Sequence, residues 1–121
     1  NLDDFPARLE RRRAVAAQYR SGLGNVPGLQ LIAHAPDRQS AEWLFPVRVE
    51  RREEFIRALA ARGVPASVVH LRIDHNTLFG GLRDDLPGTA AYDACQVALP
   101  LHENLSAADV AQVVDSVRAG W

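Results

Sequence analysis

Frequent turn residues divide this chain into short segments, and this division limits the folds that the chain can adopt. Eight glycines and seven prolines are spread over 121 residues, and these two residue types most often interrupt helices and strands. No apolar stretch approaches the roughly 20 residues of a membrane-spanning helix. With 47% hydrophobic and 24% charged residues, the chain has the balance of a globular domain. We therefore expect a single domain over residues 1–121, built from several short helices and strands.

Four segments carry the signals of helices. Apolar residues recur at helical spacing in residues 6–23 and 52–62, and residues 87–95 open on a Pro-Gly pair. The last helix is predicted to start after Ser106, because Ser106 and Asp109 have the spacing of a capping box. Its apolar stripe consists of Val110, Val113, Val114 and Val117, and Trp121 is expected to extend it.

Strands are predicted between these helices. Short apolar runs favour extended structure at residues 29–33, 64–69 and 97–99. The strongest strand signal is in residues 42–49, where apolar side chains alternate and Trp43 and Phe45 are expected in the core. Pro46 lies inside this segment and predicts an edge strand or a bulge, because proline cannot donate to a strand ladder.

The order of these elements favours an α+β fold. Two adjacent strands are followed by one helix, a third strand, a long loop and two helices. Such short strands, with only one helix between them, are typical of a small, mainly antiparallel sheet covered by helices on one face. The loop over residues 71–85 has no sustained period, and loops of this length in compact domains are usually functional or disordered.

Charge and residue usage exclude several functions. The formal net charge is −1, so we expect neither nucleic acid nor a membrane surface as a partner. All 14 basic side chains are arginines, and without lysine these residues cannot form a Schiff base. The single cysteine, Cys95, fits a thiol-reducing compartment such as the cytoplasm and is expected to be a packing residue. The chain opens on Asn1 instead of a methionine, so we expect a processed chain or a piece of a longer one. The first residues are not a basic segment followed by an apolar one, so we expect no secretory signal peptide.

One polar cluster, HLRIDH at residues 70–75, follows the third predicted strand. If the chain stays extended there, His70, Arg72 and Asp74 point to the same side. Arginine offers a planar fork of donors to phosphate, and aspartate accepts hydrogen bonds from sugar hydroxyls. The alternative is a surface loop with an Arg72–Asp74 ion pair, and the spacing by itself favours this simpler interpretation.

Two other kinds of site find little support. A metal site would draw on His70, Asp74, His75 and His102, whose spacing matches no common zinc pattern. Gly80 and the glycine after it are not followed by the Lys-Ser/Thr pair of a phosphate-binding loop. We therefore expect neither a metal ion nor a phosphate loop within this chain.

Several segments in order resemble the C-terminal domain of the DegT/DnrJ/StrS-type sugar aminotransferases, which use pyridoxal phosphate (PLP). They are residues 12–23 (RRAVAAQYRSGL), 42–49 (EWLFPVRV), 52–55 (REEF), 62–66 (RGVPA), 86–89 (LPGT), 97–102 (VALPLH) and 105–106 (LS). The stretch from His70 to Phe79 is similar to the H-x-R-N-D-x-x-x-x-F loop of one branch of the family, with Ile73 in place of the asparagine.

The resemblance implies the fold of a small C-terminal domain and a share in amino transfer to a keto-sugar, usually carried on a nucleotide. It places the catalytic lysine and most of the PLP site in a large domain outside this chain, so PLP is expected only in the full-length homodimer. His70, Arg72 and Asp74 would contribute to the sugar-nucleotide site, and Phe79 would be a packing anchor of the loop. A free-standing binding or partner module of the same fold is the alternative, and a purely structural domain is a third possibility.

Overall fold

A computed structural model describes residues 2–121 of the chain. Within these residues the helices are Phe5–Leu23 (α1), Arg52–Ala61 (α2), Pro87–Cys95 (α3) and Ala107–Arg118 (α4). The strands are Leu29–Leu31 (β1), Phe45–Val49 (β2) and Gln96–Leu99 (β3). Two short 3₁₀ turns, Ile73–His75 and Thr77–Phe79, lie in the long loop before α3. None of the helices in this part of the chain is long and apolar enough to cross a membrane.

The three strands form one antiparallel sheet with the spatial order β1-β2-β3. Leu31 lies opposite Val47, and Phe45 lies opposite Leu99. The small antiparallel sheet and the α+β class predicted from the sequence are therefore confirmed.

The core lies between the sheet and helices α1, α2 and α4. Alternate β2 side chains, Phe45, Val47 and Val49, are buried there. Tyr19 of α1 is fully buried beside Phe45, and its hydroxyl donates to the Pro100 carbonyl at 2.8 Å. Burial, with the charge of Asp109 as a smaller cause, raises the pKa of Tyr19 to about 12. In contrast to the other helices, α3 contributes no buried residue.

The position of Pro46 in the sheet differs from the prediction, because β2 is the central strand rather than an edge. The amide and carbonyl of Ala98, which lies opposite Pro46, bond to Ser67 and so point away from β2. The backbone of Pro46 consequently points toward the β1 side. There β1 has already ended, opposite Val47, so the missing proline amide removes no ladder bond.

The predicted strand at residues 64–69 is wrong. Only Ser67 pairs, through an isolated bridge to Ala98 with hydrogen bonds of 3.3 and 2.8 Å. Pro65 has no amide to offer to a longer ladder, and Val69 is 42% exposed. The segment therefore lies along the edge of β3 without continuing the sheet.

The core prediction is confirmed for Phe45 and wrong for Trp43, whose side chain is 63% exposed. The strand β2 begins only at Phe45, and Glu42 has a left-handed backbone with φ of 48°. That conformation interrupts an extended chain, so the alternation of β2 does not reach back to Trp43.

Both ends of the last helix are fixed by identifiable contacts. At its start the Ser106 hydroxyl accepts from the Asp109 amide at 3.2 Å, and Asp109 accepts from the Ser106 amide at 2.8 Å, which confirms the capping box. Beyond its end, Trp121 packs edge-on against Phe55 of α2 at 4.8 Å between ring centroids. Its indole N–H donates to the Glu50 carbonyl at 2.7 Å. Trp121 therefore joins the core through α2 and the end of β2.

Candidate functional site

The loop before α3 is built around an ion pair between Arg72 and Asp74. The Arg72 Nε donates to Asp74 Oδ1 at 2.9 Å, and its Nη2 donates to Oδ2 at 2.5 Å. The two side chains are only 9% and 6% exposed. This is the bidentate geometry that matches a guanidinium to a carboxylate.

The same two side chains hold both ends of the loop together. Asp74 Oδ2 accepts from the Arg83 amide at 3.1 Å, and Arg72 Nη2 donates to the Arg83 carbonyl at 3.2 Å. We call residues 72–83 the clamped loop. Hydrogen bonds from Arg72, with a smaller share from the Arg83 amide, lower the pKa of Asp74 to about 2 against the opposing effect of burial. The carboxylate is therefore ionised throughout the neutral range.

His70 lies just before the clamped loop and has different neighbours. Its exposed imidazole faces the indole of Trp43, with ring centroids 5.6 Å apart and planes at 49°. Its backbone carbonyl accepts a hydrogen bond of 2.5 Å from the Gln96 side chain in β3. The sheet thus fixes the backbone of His70 while the ring stays open to solvent.

The three predicted site residues are therefore not equivalent. The extended conformation assumed for residues 70–75 is wrong, because a 3₁₀ turn starts at Ile73. Arg72 and Asp74 are brought together and bind each other, while the ring contact of His70 is with Trp43. The ion pair of the simpler interpretation exists, but it is nearly buried instead of lying at the surface. Direct contact of these side chains with a substrate stays a prediction.

Phe79 was expected to anchor the loop by packing, and within the described residues it does not. Its side chain is 59% exposed. The anchor is the polar set formed by Arg72, Asp74 and the backbone of Arg83. The sequence carries no signal for the role of Arg83, because Arg83 contributes its backbone amide and carbonyl, which every residue type except proline supplies.

Two other places could hold a ligand: a metal centre and a cavity beside the sheet. Among residues 2–121, no three His, Cys, Asp or Glu side chains are grouped as a metal site would require. A cavity of about 580 Å³ lies beside β1, β2 and the end of α3, and it is lined in part by Arg48 and Cys95. The Cys95 thiol donates to the Ala91 carbonyl at 3.1 Å and accepts from Arg48 Nε at 3.3 Å. The half-buried Cys95 is thus held by local contacts.

The residues present do not fit the attachment of PLP. Covalent attachment needs a lysine amine, and the sequence contains 14 arginines and no lysine. Many of the arginines are engaged with carboxylates and carbonyls, as Arg62 is with the carbonyls of Ser116 and Gly120 at 2.7 and 2.8 Å.

Comparison with known proteins identifies the family. The model of the DegT/DnrJ/EryC1/StrS aminotransferase family matches residues 1–118, and the chain belongs to that family. It is 34% identical over 116 residues to the dTDP-3-amino-3,4,6-trideoxy-alpha-D-glucose transaminase of Streptomyces venezuelae, covering 89% of this chain and 30% of the relative. The resemblance drawn from the sequence motifs is thereby confirmed.

Solved structures agree with this assignment. The crystal structure of AtS13 from Actinomadura melliaura matches with a TM-score of 0.94 at 35% identity, covering 100% of this chain and 32% of that one. The PLP-form of Spr1654 from Streptococcus pneumoniae matches with a TM-score of 0.85 at 26% identity, covering 98% of this chain and 32% of that one. The chain therefore spans about a third of the length of these relatives.

Proposed function

We propose that this chain is the C-terminal small domain of a longer PLP-dependent aminotransferase that transfers an amino group from an amino acid to a keto-sugar. The observation that carries the proposal is the family match over residues 1–118 together with a fold match along the whole chain. The dTDP-sugar named for the Streptomyces venezuelae relative supports a nucleotide-linked substrate. We expect the full-length enzyme to be a homodimer.

The chemistry of amino transfer would come from outside these residues. PLP, when bound, supplies the electron sink for the reaction, and no residue of this chain fits its attachment. The contribution that we assign to the chain is one wall of the substrate cleft, which binds and orients the sugar nucleotide.

Within that wall we assign different tasks to the three predicted residues. His70 has an exposed ring and would contact the substrate directly. Arg72 uses Nε and Nη2 within the clamped loop, so its Nη1, which has no hydrogen bond to residues 2–121, is the donor left for a phosphate or sugar oxygen. Asp74 holds the Arg72 fork in place and is therefore a positioning residue.

The test is the effect of Arg72→Ala on the full-length enzyme. We expect kcat/KM for the sugar nucleotide to fall about 10- to 100-fold, or about 1.4–2.8 kcal/mol, with PLP binding retained. Arg72→Lys should restore activity only in part, because lysine lacks the planar fork. Unchanged kcat/KM in Arg72→Ala would leave the ion pair as a purely structural feature.

Further variants separate binding from loop stability. Asp74→Ala loosens the loop but keeps the donors of Arg72, whereas Arg72→Ala/Asp74→Ala removes the donors as well. If Arg72 binds substrate, the double variant should lose more kcat/KM than Asp74→Ala alone. Arg83→Ala is the matched control, because its side chain pairs with the exposed Asp85 while its amide still reaches Asp74. We expect Arg83→Ala to retain normal kcat/KM.

A free-standing partner module is the second candidate, and the closed core of the chain favours it. Helices α1, α2 and α4 bury one continuous apolar cluster against the sheet without help from another domain. The encoding reading frame and the intact mass of the purified protein distinguish the candidates. The aminotransferase requires additional chain that includes a lysine, whereas the module requires none.

A further inference from the structure

The side chain of Trp43 is 63% exposed, although the sequence around it has the pattern of a buried strand. A tryptophan offers a large apolar surface that is ordinarily packed in a core or used at an interface. Within residues 2–121 its indole makes one ring contact, with the imidazole of His70, at 5.6 Å between centroids and 49° between planes. This separation lies in the range of favourable aromatic pairs.

The backbone on the Trp43 side of this pair is fixed by Glu42. Its left-handed conformation, with φ of 48°, turns the chain before β2. A residue other than glycine keeps this conformation only where its surroundings impose it. The Glu42 amide donates to the Ser40 hydroxyl at 2.9 Å, and its side chain, 8% exposed, brings Oε1 to 3.5 Å from His34 Nε2. Trp43 is thereby directed away from the core.

The ring of His70 depends on Trp43 for its orientation. The backbone of His70 is held by Gln96, whose side chain donates to the His70 carbonyl at 2.5 Å. The imidazole itself makes no hydrogen bond or ion pair within residues 2–121, and its ring contact is with the indole. Because an exposed side chain without a neighbour samples several rotamers, the indole supplies the contact that restricts this one.

We propose that Trp43 is a positioning residue, which holds the imidazole of His70 in the orientation that contacts the sugar nucleotide. The proposal rests on the proposed function, in which the exposed ring of His70 meets the substrate. A ring that is oriented before binding loses less conformational entropy than a freely rotating ring when the ligand arrives. Trp43 therefore strengthens substrate binding through His70, without touching the substrate itself.

The first test is a double-mutant cycle in the full-length enzyme, with kcat/KM for the sugar nucleotide as the measured quantity. We expect Trp43→Leu to lower kcat/KM about 3- to 10-fold, mainly through KM, since aromatic pairs contribute on that order. Trp43→Phe keeps a ring at this position and should restore most of the activity. In a His70→Gln background, Trp43→Leu should have no further effect. A loss of the same size in both backgrounds would overturn the proposal, because Trp43 would then act independently of His70.

Phe5→Leu is the matched control for the loss of an exposed aromatic side chain. Phe5 is 53% exposed and lines the same cavity of about 330 Å³ as Trp43, but it makes no ring contact with His70. We expect this variant to retain normal kcat/KM. A loss equal to that of Trp43→Leu would assign the effect to the cavity and would also overturn the proposal.

A second measurement observes the imidazole directly and needs no catalytic turnover. Histidine labelled with ¹³C in the ring is incorporated into the full-length protein, and the NMR signal of His70 is identified by its loss in His70→Gln. The ring current of the indole displaces this signal, so Trp43→Leu should move it toward the position of a free histidine, whereas Phe5→Leu should leave it in place. A His70 signal that is the same with and without Trp43 would contradict the proposal.

The two measurements separate this proposal from the proposed function. An active aminotransferase whose His70 signal does not respond to Trp43→Leu defeats the positioning role alone. An active enzyme in which His70→Gln leaves kcat/KM unchanged defeats the contact of His70 with substrate and, with it, the positioning role. A protein that shows the response of the His70 signal but has no aminotransferase activity defeats the proposed function, while the control of the His70 ring by Trp43 stands.

Discussion

The Arg72–Asp74 pair determines how the loop responds to a change of charge, because nearly all of the hydrogen bonds of the two side chains are made within the loop. Asp74 accepts from Arg72 and from the Arg83 amide, and Arg72 also donates to the Arg83 carbonyl. Removing one member of such a pair leaves a charge with little access to water. The pair therefore links any change of charge in the loop to the conformation of residues 72–83.

Acid should weaken the loop within a defined range of pH. The pKa of Asp74 is lowered to about 2 in the folded protein, whereas an aspartate in the unfolded chain titrates near pH 3.9. The unfolded state thus binds the proton first as the pH falls, so stability from ionised Asp74 is complete above about pH 4 and is lost toward about pH 2.

We expect Asp74→Asn to reduce the acid dependence of stability over this range, as followed by urea denaturation at several pH values. Asp37→Asn is the matched control, because Asp37 also pairs with an arginine, Arg38, but both side chains are largely exposed. Exposed pairs contribute little, so the control should retain the acid dependence of the unsubstituted protein. Identical profiles for Asp74→Asn and the unsubstituted protein would show that Asp74 does not supply this dependence.

At the scale of elements, the packing of α1 on α4 depends on the absence of a side chain at Gly22. A Cβ added there would lie 2.9 and 3.0 Å from the two methyl carbons of Val114. Valine has few side-chain rotamers in a helix and yields poorly to such a contact. The Arg118 Nε also donates to the Gly22 carbonyl at 2.9 Å, which fixes the end of α4 against α1.

We expect Gly22→Ala to destabilise the protein by about 1 kcal/mol, because overpacking at a cost of about 2 kcal/mol outweighs a gain in helix propensity of about 1 kcal/mol. The measurement is the free energy of unfolding from denaturant titration. In a Val114→Ala background the clash is absent, and Gly22→Ala should then be stabilising. The same destabilisation in both backgrounds would rule out the contact with Val114 as the cause.

The elements that sequence predicted well are those whose signals are local. The capping box of α4 needs only Ser106 and Asp109, three residues apart, and it forms as predicted. Strand limits depend on partners that are distant in sequence. Residues 64–69 have the composition of a strand, yet only Ser67 finds a partner, and Pro46 fits a central strand because β1 ends early.

The candidate site shows the same division between local and distant information. The pairing of Arg72 with Asp74 could be anticipated, because the two residues are separated by one position. The contact between Asp74 and Arg83 uses backbone atoms of a residue nine positions further along the chain. The residue types in the loop do not predict such a contact. The exposure of Trp43 depends on the left-handed backbone of Glu42, which an unbroken apolar alternation does not reveal.

For the molecule as a whole, the exclusive use of arginine accounts for many of the contacts between elements. Arg62 at the end of α2 donates to carbonyls at the end of α4, and Arg20 of α1 donates to the Ile32 carbonyl beyond β1 at 3.0 Å. The planar fork of arginine can reach several carbonyls at once, whereas lysine presents a compact charge. The basic side chains thus stabilise the fold and offer no primary amine to a carbonyl cofactor.

This chemistry predicts that the 121-residue chain by itself does not attach PLP through a side chain. After incubation with PLP and reduction by borohydride, peptide mapping should find no modified side chain, because attachment requires a lysine amine and the sequence contains none. The terminal amine of Asn1 is mapped separately, since it is not a side chain. In the full-length enzyme, the same treatment should label a lysine outside residues 1–121. A reduced adduct on any side chain of this chain would contradict the assignment of the cofactor site to the rest of the polypeptide.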